Sequence, residues 1–196
     1  AAELVTAAYR HSFFNNNEIG IASVRAGNVI GGGDWSADRL IPDCCRSLYK
    51  NKIISIRNPN AIRPWQFILE PIFGMLSLSL HLRKNPTQFS EPWNFGPNSN
   101  KKITVEQMVK KIIQQWGKGK YKIKINGTDK QYHESKILML NSTKAKKLLK
   151  CGNLYSNSES LFETIEWYRK HHGSKTDMNE FTIKQIQKYM EKIILD

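Results

Sequence analysis

Cysteine is scarce, and the few present are poorly placed for the work that cysteines do together. Cys44 and Cys45 are adjacent and Cys151 lies far away. An odd count without paired Cys/His spacing speaks against a disulfide framework and against a zinc site. The histidines (His11, His81, His133, His171 and His172) show no metal-ligand spacing either, so no metal is expected. No apolar run reaches the roughly 18 residues of a membrane span. No basic-then-apolar leader opens the chain, so a reduced, cytoplasmic setting without a membrane is expected. Two phosphate-binding motifs are also missing. There is no Gly-x-Gly-x-x-Gly between a first strand and its helix, and no Gly-Lys-Ser/Thr follows any glycine run. With no nucleophile elbow and no local Ser/Cys–His pairing, no catalytic residue is assigned. Glu3, Asp34, Asp38, Asp43 and Glu70 read as surface carboxylates.

Acidic residues are also few, 17 against 30 Lys and Arg, which leaves a net charge of +13. Such a balance raises the possibility of a basic nucleic-acid-binding module. Its distribution argues against one. Seven of the eight arginines precede Lys84, and nineteen of the twenty-two lysines follow from Lys101. Lysines scattered over several amphipathic helices make a solvated face and not a binding stripe. The early arginines are more interesting, because a guanidinium fork matches phosphate oxygens.

What is present is a chain of 196 residues, 40% of them hydrophobic, enough to bury a core. It turns on the stretch from Arg25 to Asp43, where Gly31-Gly32-Gly33 falls between what reads as a buried apolar strand (Ile19 to Val24) and a helix (Leu40 to Leu48). Three glycines there mark backbone in unusual conformations or in close approach to something. A phosphate cradle, a substrate loop and an awkward turn all fit that description.

Ahead of it, Leu4, Val5, Ala8 and Tyr9 share one side of a helix. No capping residue or initiator methionine precedes that helix, so the chain is expected to be the C-terminal piece of a longer protein. Asn15 to Gly20 is a turn. Helix, loop and apolar strand in that order suggest an α/β unit of a largely parallel sheet, with the glycine loop at the carboxyl end of its strand, where ligands bind in such folds.

Further along, Ile53–Ile56 is a strand, Arg57–Asn60 a turn, and Ile62–Leu69 extended around Pro64. Pro71 starts a helix to Leu82 that is apolar nearly all round and reads as buried packing. Trp93–Phe95 is a strand. Thr104-Val-Glu-Gln107 is a capping-box start, and its helix carries Val105, Met108, Val109, Ile112, Ile113 and Trp116 before Gly117. Tyr121–Ile125 alternates as a strand, and Ile137–Leu140 is a candidate for another. Ser142 or Thr143 caps a lysine-rich helix to Leu149. Ser158 caps the next, and the last, Thr182–Leu195, turns Ile183, Ile186, Met190 and Ile193 to one face. Residues 1–56 and 62–99 therefore read as a partial α/β region interleaved with binding loops, and 100–196 as a helix-rich second region.

The residues suited to binding are Asn28, Arg39, Arg57, Arg63, Trp65 and Asn94, all at strand ends or in loops. Converging on a diphosphate, arginines and amides would supply charge-assisted, often bidentate hydrogen bonds, with Trp65 or Trp35 as an apolar wall. Ordinary loop arginines and ordinary tryptophan packing explain the same residues.

Several blocks, kept in order, resemble the extended short-chain dehydrogenase/reductase family: residues 2–10, Ser23 to Trp35, Asp38 to Asp43, Ile56 to Pro59, Ala61 to Gln66, Leu69 to Pro71 and Trp93 to Pro97. Weaker likenesses are His133-Glu134, Leu140 to Ala145 and Thr164 to Tyr168. The Asn28–Trp35 and Ala61–Gln66 blocks resemble the branch of the family that acts on CDP-glucose more than the dTDP-glucose branch. Another nucleotide-sugar epimerase or dehydratase of the family is the alternative.

The resemblance implies the C-terminal part of a Rossmann-type doubly wound sheet plus a smaller helix-rich substrate-binding domain. It implies NAD as cofactor, and CDP-glucose as substrate, oxidised at carbon 4, dehydrated across carbons 5 and 6, and re-reduced at carbon 6. A homodimer is implied for the intact enzyme. The family's glycine fingerprint and Tyr-x-x-x-Lys pair lie upstream of the matching region, so this chain alone is expected to be inactive. By the same likeness Asn28 contacts the sugar diphosphate, and the backbone of Ala26, Gly27 and Val29 lies beside the nicotinamide. Arg39, Leu40 and Ile41 line the substrate cleft. Arg57 and Ile54–Ile56 lie along the nucleotide, Arg63 clamps the diphosphate, and Asn94 sits nearby. Two departures stand out: Phe67 where histidine is more usual, and Lys150-Cys151-Gly152-Asn153 in place of Gly-Trp-x-Pro.

Overall fold

Parallel pairing of short strands organises the computed structural model, which describes residues 1–14, 19–97, 102–124, 135–173 and 175–195. The elements are α1 (Ala2–Phe13), β1 (Ser23–Ala26), β2 (Asn28–Ile30), α2 (Leu40–Tyr49), β3 (Ile54–Ile56), β4 (Trp65–Phe67), α3 (Leu69–Lys84), α4 (Pro86–Phe89), β5 (Pro92–Phe95), α5 (Val105–Trp116), β6 (Tyr121–Ile123), α6 (Thr143–Leu149), α7 (Asn157–Gly173) and α8 (Met178–Leu195). Among the described residues the strands form three parallel pairs: β1 with β5, β2 with β4, and β3 with β6. Each pair is separated in sequence by a helical crossover or a long connection, as parallel strands require.

The largest core cluster gathers Ile41, Cys44, Cys45 and Leu48 of α2, Ile54 and Ile56 of β3, and Trp65 of β4. Against them pack Met108, Val109 and Ile112 of α5, and Leu161, Ile165 and Tyr168 of α7. This core and the β3–β6 pair both cross residue 100. A second cluster joins Leu78 of α3 to Phe89, Trp93 and Phe95, with Ala145 and Leu149 of α6. A small third one holds Phe67, Tyr155 and Tyr189. Phe67, which stands where histidine is more usual, is apolar for a reason: its ring lies 5.4 Å from that of Tyr155.

Local signals explain most helix ends. Thr104 and Gln107 form the capping box at α5, and Gly117 ends that helix at φ 92°. Pro42 is tolerated in the first turn of α2, whose N-cap is Arg39. Elsewhere the structure departs from expectation. The cap of α7 is Ser156, whose hydroxyl accepts the Glu159 N–H while the Glu159 carboxylate accepts the Ser156 N–H. Ser158 lies inside the helix. At α6 the Thr143 N–H is taken by Asn141 Oδ1, while the Ser142 hydroxyl donates to the Gly96 carbonyl. Residues 137–140 supply only an isolated bridge, Ile137 to Ile62. The turn at Asn15–Asn17, Ile125 and the His133-Glu134 pair lie outside the described residues.

Burial corrects four further expectations. Ile19 and Val24 are exposed, because β1 pairs with β5 along one side only among the described residues. α3 is not buried all round: Ile72, Met75, Leu76 and Leu80 are exposed, and Glu70, Pro71, Gly74 and Leu78 are its buried residues. On α8 the inward positions are Gln185 and Tyr189, while Ile183, Ile186 and Met190 are exposed. Glu70, read as a surface carboxylate, is 6% exposed. It accepts the Leu154 and Tyr155 N–H groups and the Tyr189 hydroxyl, and so ties α3 to α8.

Candidate nucleotide-sugar site

The glycine run is explained first by packing. A Cβ at Gly32 would stand 2.0 Å from the Trp167 ring, and one at Gly31 would stand 2.7 Å from Ile68. Gly33 takes φ +82°, which favours glycine. The loop that follows is pinned to α7 and α2. Tyr168 Oη donates to the Asp34 carbonyl at 2.5 Å. The Arg46 guanidinium donates to the carbonyls of Trp35 (2.8 Å) and Ser36 (3.1 Å) and pairs with Asp43. Trp35 lies among Trp167, Tyr168, His171 and His172, with ring centroids 5.1 to 6.3 Å away. It is an anchor for the loop, and Trp65 is a core residue, so neither indole is a free wall. The Trp65 Nε1 is buried without a partner among the described residues.

Arg46, Trp167 and Tyr168 thus hold the loop, and sequence reasoning did not single them out for it. A glycine facing an aromatic across 135 positions leaves no local signal.

The predicted binding residues fall into three groups. Asn28 opens β2 opposite Trp65 of β4, two positions from Arg63. Its backbone N–H donates to the Pro64 carbonyl at 2.9 Å, while its side chain has no hydrogen-bond partner among the described residues. Gly27 lies against the same Pro64 carbonyl, 2.4 Å from where a Cβ would be. Arg63 is half-buried and donates to the Ile62 carbonyl at 2.8 Å. Ala26 and Val29 are exposed.

In the second group, Arg39 caps α2 with an exposed side chain, and Arg57 reaches Asp38 at 3.1 Å. That pair is exposed on both sides, so it is worth little and easily exchanged for another anion. Asp34 has its carboxyl held below the usual range, chiefly by the Ser36 N–H it accepts and then by Arg39 and Arg46. Leu40 is half-buried, and Ile41 gives its side chain to the core.

Asn94 stands apart from both groups. Its Oδ1 accepts Arg25 Nη1 at 2.9 Å and its Nδ2 donates to the Asn141 carbonyl at 3.2 Å. Arg25 in turn pairs with Glu3. Cys44 and Cys45 are buried thiols, and burial pushes Cys44 up to about 12. They are inert at neutral pH.

Along 173 residues, or 86% of its length, the chain is 43% identical to the CDP-glucose 4,6-dehydratase of Salmonella typhimurium. The chain is homologous to CDP-glucose 4,6-dehydratase. It spans about half the length of the relatives it matches, 48% in the case of the Salmonella typhimurium dehydratase. No family model matches.

The fold agrees with that kinship. The dTDP-glucose 4,6-dehydratase of Bacillus anthracis, solved in complex with NAD, superposes with a TM-score of 0.69 at 22% identity, over 86% of this chain and 50% of that one. The UDP-glucuronic acid 4-epimerase of Bacillus cereus, with UDP-glucuronic acid and NAD, gives 0.70 at 19% identity over 86% and 50%. The dTDP-glucose 4,6-dehydratase of Streptomyces venezuelae gives 0.71 at 17% identity over 87% and 49%. The architecture is therefore that of the nucleotide-sugar epimerases and dehydratases, over about half of those chains. Among the described residues no helix is long and apolar enough to cross a membrane.

The residues at hand do not make a cradle for the NAD phosphates. The only glycine run is occupied by Trp167 and Ile68. Ala26 and Val29 are exposed, Gly27 and Asn28 are half-buried, and the Gly27 and Asn28 N–H groups are taken by the Phe95 and Pro64 carbonyls.

Proposed function

We propose that this chain is the nucleotide-sugar-binding portion of a CDP-glucose 4,6-dehydratase. The observation that carries the reading is the 43% identity to such an enzyme, joined to a site whose spare hydrogen-bonding groups suit a diphosphate. Asn28 and Arg39 have side chains without hydrogen-bond partners among the described residues, and Arg57 is held only by an exposed ion pair. Arg63 lies two residues before β4, the strand that pairs with β2 and Asn28. Together they would present an amide and up to three guanidiniums to two phosphates. Ile54–Ile56 and Leu40 would lie along the nucleotide. Ile41 would contribute only backbone, and Asn94 would position Arg25 instead of touching the diphosphate.

In the intact enzyme, bound NAD would supply hydride removal at carbon 4 and return at carbon 6. The residues described here would bind and orient the sugar nucleotide beside it, with the Ala26–Val29 backbone as one wall. A homodimer, a cytoplasmic setting and the absence of nucleic acid from its partners belong to the same reading.

Calorimetric titration of CDP tests it. The chain should bind CDP, and Arg63→Ala should weaken binding by about 10- to 100-fold, the equivalent of one charge-assisted contact of about 1.5–3 kcal/mol. Equal affinities would remove the diphosphate role of Arg63. Purified chain supplied with NAD and CDP-glucose should give no 4-keto product.

A further inference from the structure

The tandem histidines at the end of α7 stand in different surroundings. His171 is exposed and stacks on Trp167, with ring centroids 5.2 Å apart. His172 is half-buried and lies almost flat on Tyr49 of α2, with centroids 4.0 Å apart and planes 21° from parallel. It also meets the Trp35 ring edge-on at 5.5 Å and the His171 ring at 5.0 Å. His172 therefore joins the last turn of α2 to the glycine loop, with Trp35 as the side chain between them.

A neutral ring suits that place better than a charged one. His172 Nε2 is buried and has no hydrogen-bond partner among the described residues. An imidazolium carries a proton on both nitrogens and needs an acceptor for each. The charges around it are mostly cations. Lys118, Arg169 and Lys170 line the cleft that His172 shares with Tyr49, and the carboxylate there, Glu166, already accepts Arg169 Nη1 at 2.9 Å. From the loop, Asp34 Oδ1 accepts the Ser36 N–H, and from α2 Arg46 places a further cation beside Trp35. α8 reaches the cluster through Thr182, a neutral side chain that accepts Trp167 Nε1. Stacking on Tyr49 favours a cation. Against it, burial first and then His171 hold the His172 pKa below the ordinary 6.5.

We propose that His172 is an acid-sensitive latch on the glycine loop: neutral, it clamps Trp35 against α2 and α7, and protonated, it lets Trp35 and residues 34–36 loosen. The Tyr168 and Arg46 bonds to those residues do not involve His172, so the loop slackens at Trp35 and keeps its hold on α7 and α2. The folded chain binds this proton less readily than the unfolded one. The clamp is therefore fully present above 6.5 and is lost as pH falls through the lowered native value. The latch itself rests on the ring cluster; its effect on a nucleotide rests on the function proposed above.

The test is a pH titration of the full chain followed by NMR, from about pH 7.5 to about pH 5, bracketing the ordinary histidine value. It reads the His172 ring, the Trp35 indole and the exchange protection of amides 34–36, corrected for the intrinsic pH dependence of exchange. His172 should titrate below 6.5, and the Trp35 signals should move with the same midpoint. Protection should fall by at least about threefold toward the acid end. His172→Phe keeps a flat ring on Tyr49 and should abolish the pH dependence, whereas His171→Phe, at the exposed neighbour, should keep it. A His172 midpoint at or above 6.5, Trp35 signals that ignore it, or pH dependence that survives in His172→Phe would each overturn the latch. The first two are read on the parent chain, so they decide the matter even if His172→Phe does not fold. CDP titrated against parent and variant at the same pH cancels the ionisation of CDP itself. A parent affinity that falls at least about threefold further than the variant's joins the latch to the binding site. A working latch with no such difference leaves the latch standing and removes the loop from nucleotide binding.

Discussion

Adding one methyl group at Gly32 should cost more than most single substitutions in this protein, and the reason is steric alone. A Cβ there stands 2.0 Å from Trp167 Cγ and 2.2 Å from Cδ2. Ordinary carbon contacts need about 3.5–4.0 Å, so ring or loop must retreat by about 1.5 Å. Neither side yields easily. Trp167 Nε1 donates to Thr182 Oγ1 at 2.9 Å, and its ring stacks on His171 at 5.2 Å. The loop is held by the Tyr168 bond to the Asp34 carbonyl and by Arg46. Overpacking of a held site costs about 1–3 kcal/mol, and the upper half of that range applies when both partners are fixed. For a chain of this size Gly32→Ala should therefore lower Tm by about 4–10 °C. Thermal unfolding read by circular dichroism, in a double-mutant cycle with Trp167→Leu, checks the cause. With the indole removed, Gly32→Ala should become nearly neutral, a coupling of about 2 kcal/mol. A cost that persists in the Trp167→Leu background would refute the steric account. So would a Gly32→Ala stability within about 0.5 kcal/mol of the parent chain, the range of ordinary surface changes.

Three further substitutions probe other joints. Ser156→Ala removes the reciprocal cap of α7 and should cost about 1 kcal/mol in urea unfolding, whereas Ser158→Ala, inside the helix, should cost little. Tyr168→Phe deletes the donor to Asp34; amides 34–36 should exchange faster in hydrogen-exchange measurements, and unchanged rates would deny Tyr168 its anchoring role. Glu70 carries a pH signature. Burial raises its carboxyl above the ordinary 4.5 despite the three hydrogen bonds it accepts, so the folded chain takes up its proton more readily than the unfolded one. Its titration contribution is then fully present below 4.5 and is lost as pH rises through the raised native value. Urea titrations of the parent chain and Glu70→Gln between pH 4 and 7 should show the parent losing stability relative to the variant as pH rises. The opposite slope would sink this reading.

The elements most legible in the sequence were those whose signals are local. Thr104-x-x-Gln107 and Gly117 bounded α5 because a cap is a short-range hydrogen-bond pattern. The same pattern, Ser156-x-x-Glu159, stands at the start of α7 and marks its cap, two residues before Ser158. Hydrophobic period alone misplaced α8, because its inward positions are chosen by polar partners. Gln185 Nε2 donates to the Glu163 carbonyl and carboxylate, and Tyr189 Oη donates to Glu70. These acceptors are 22 and 119 positions away, where no moment of hydrophobicity can register them. On α3, period could not say whether any chain was there to cover Leu76 and Leu80. Of the candidate site, residue types were readable and their roles were not. Asn94 has the right chemistry for a phosphate but both its polar atoms are engaged by Arg25 and Asn141.

The glycine loop now divides into parts with different work. Its middle, from Gly31 to Ser36, is committed to packing: Trp167 fills the space over Gly32, Tyr168 takes the Asp34 carbonyl, and Arg46 takes the next two. Its two ends, Asn28 and Arg39, keep side chains without hydrogen-bond partners among the described residues. If Asn28 and Arg39 take the diphosphate as proposed, a loop fixed in the middle would set the separation of their backbones before any ligand arrives, so less backbone ordering would oppose binding. That division makes α7, remote in sequence, a determinant of where Asn28 and Arg39 stand. Changes at Trp167 or Tyr168 should accordingly alter CDP affinity although neither residue is placed in contact with the nucleotide.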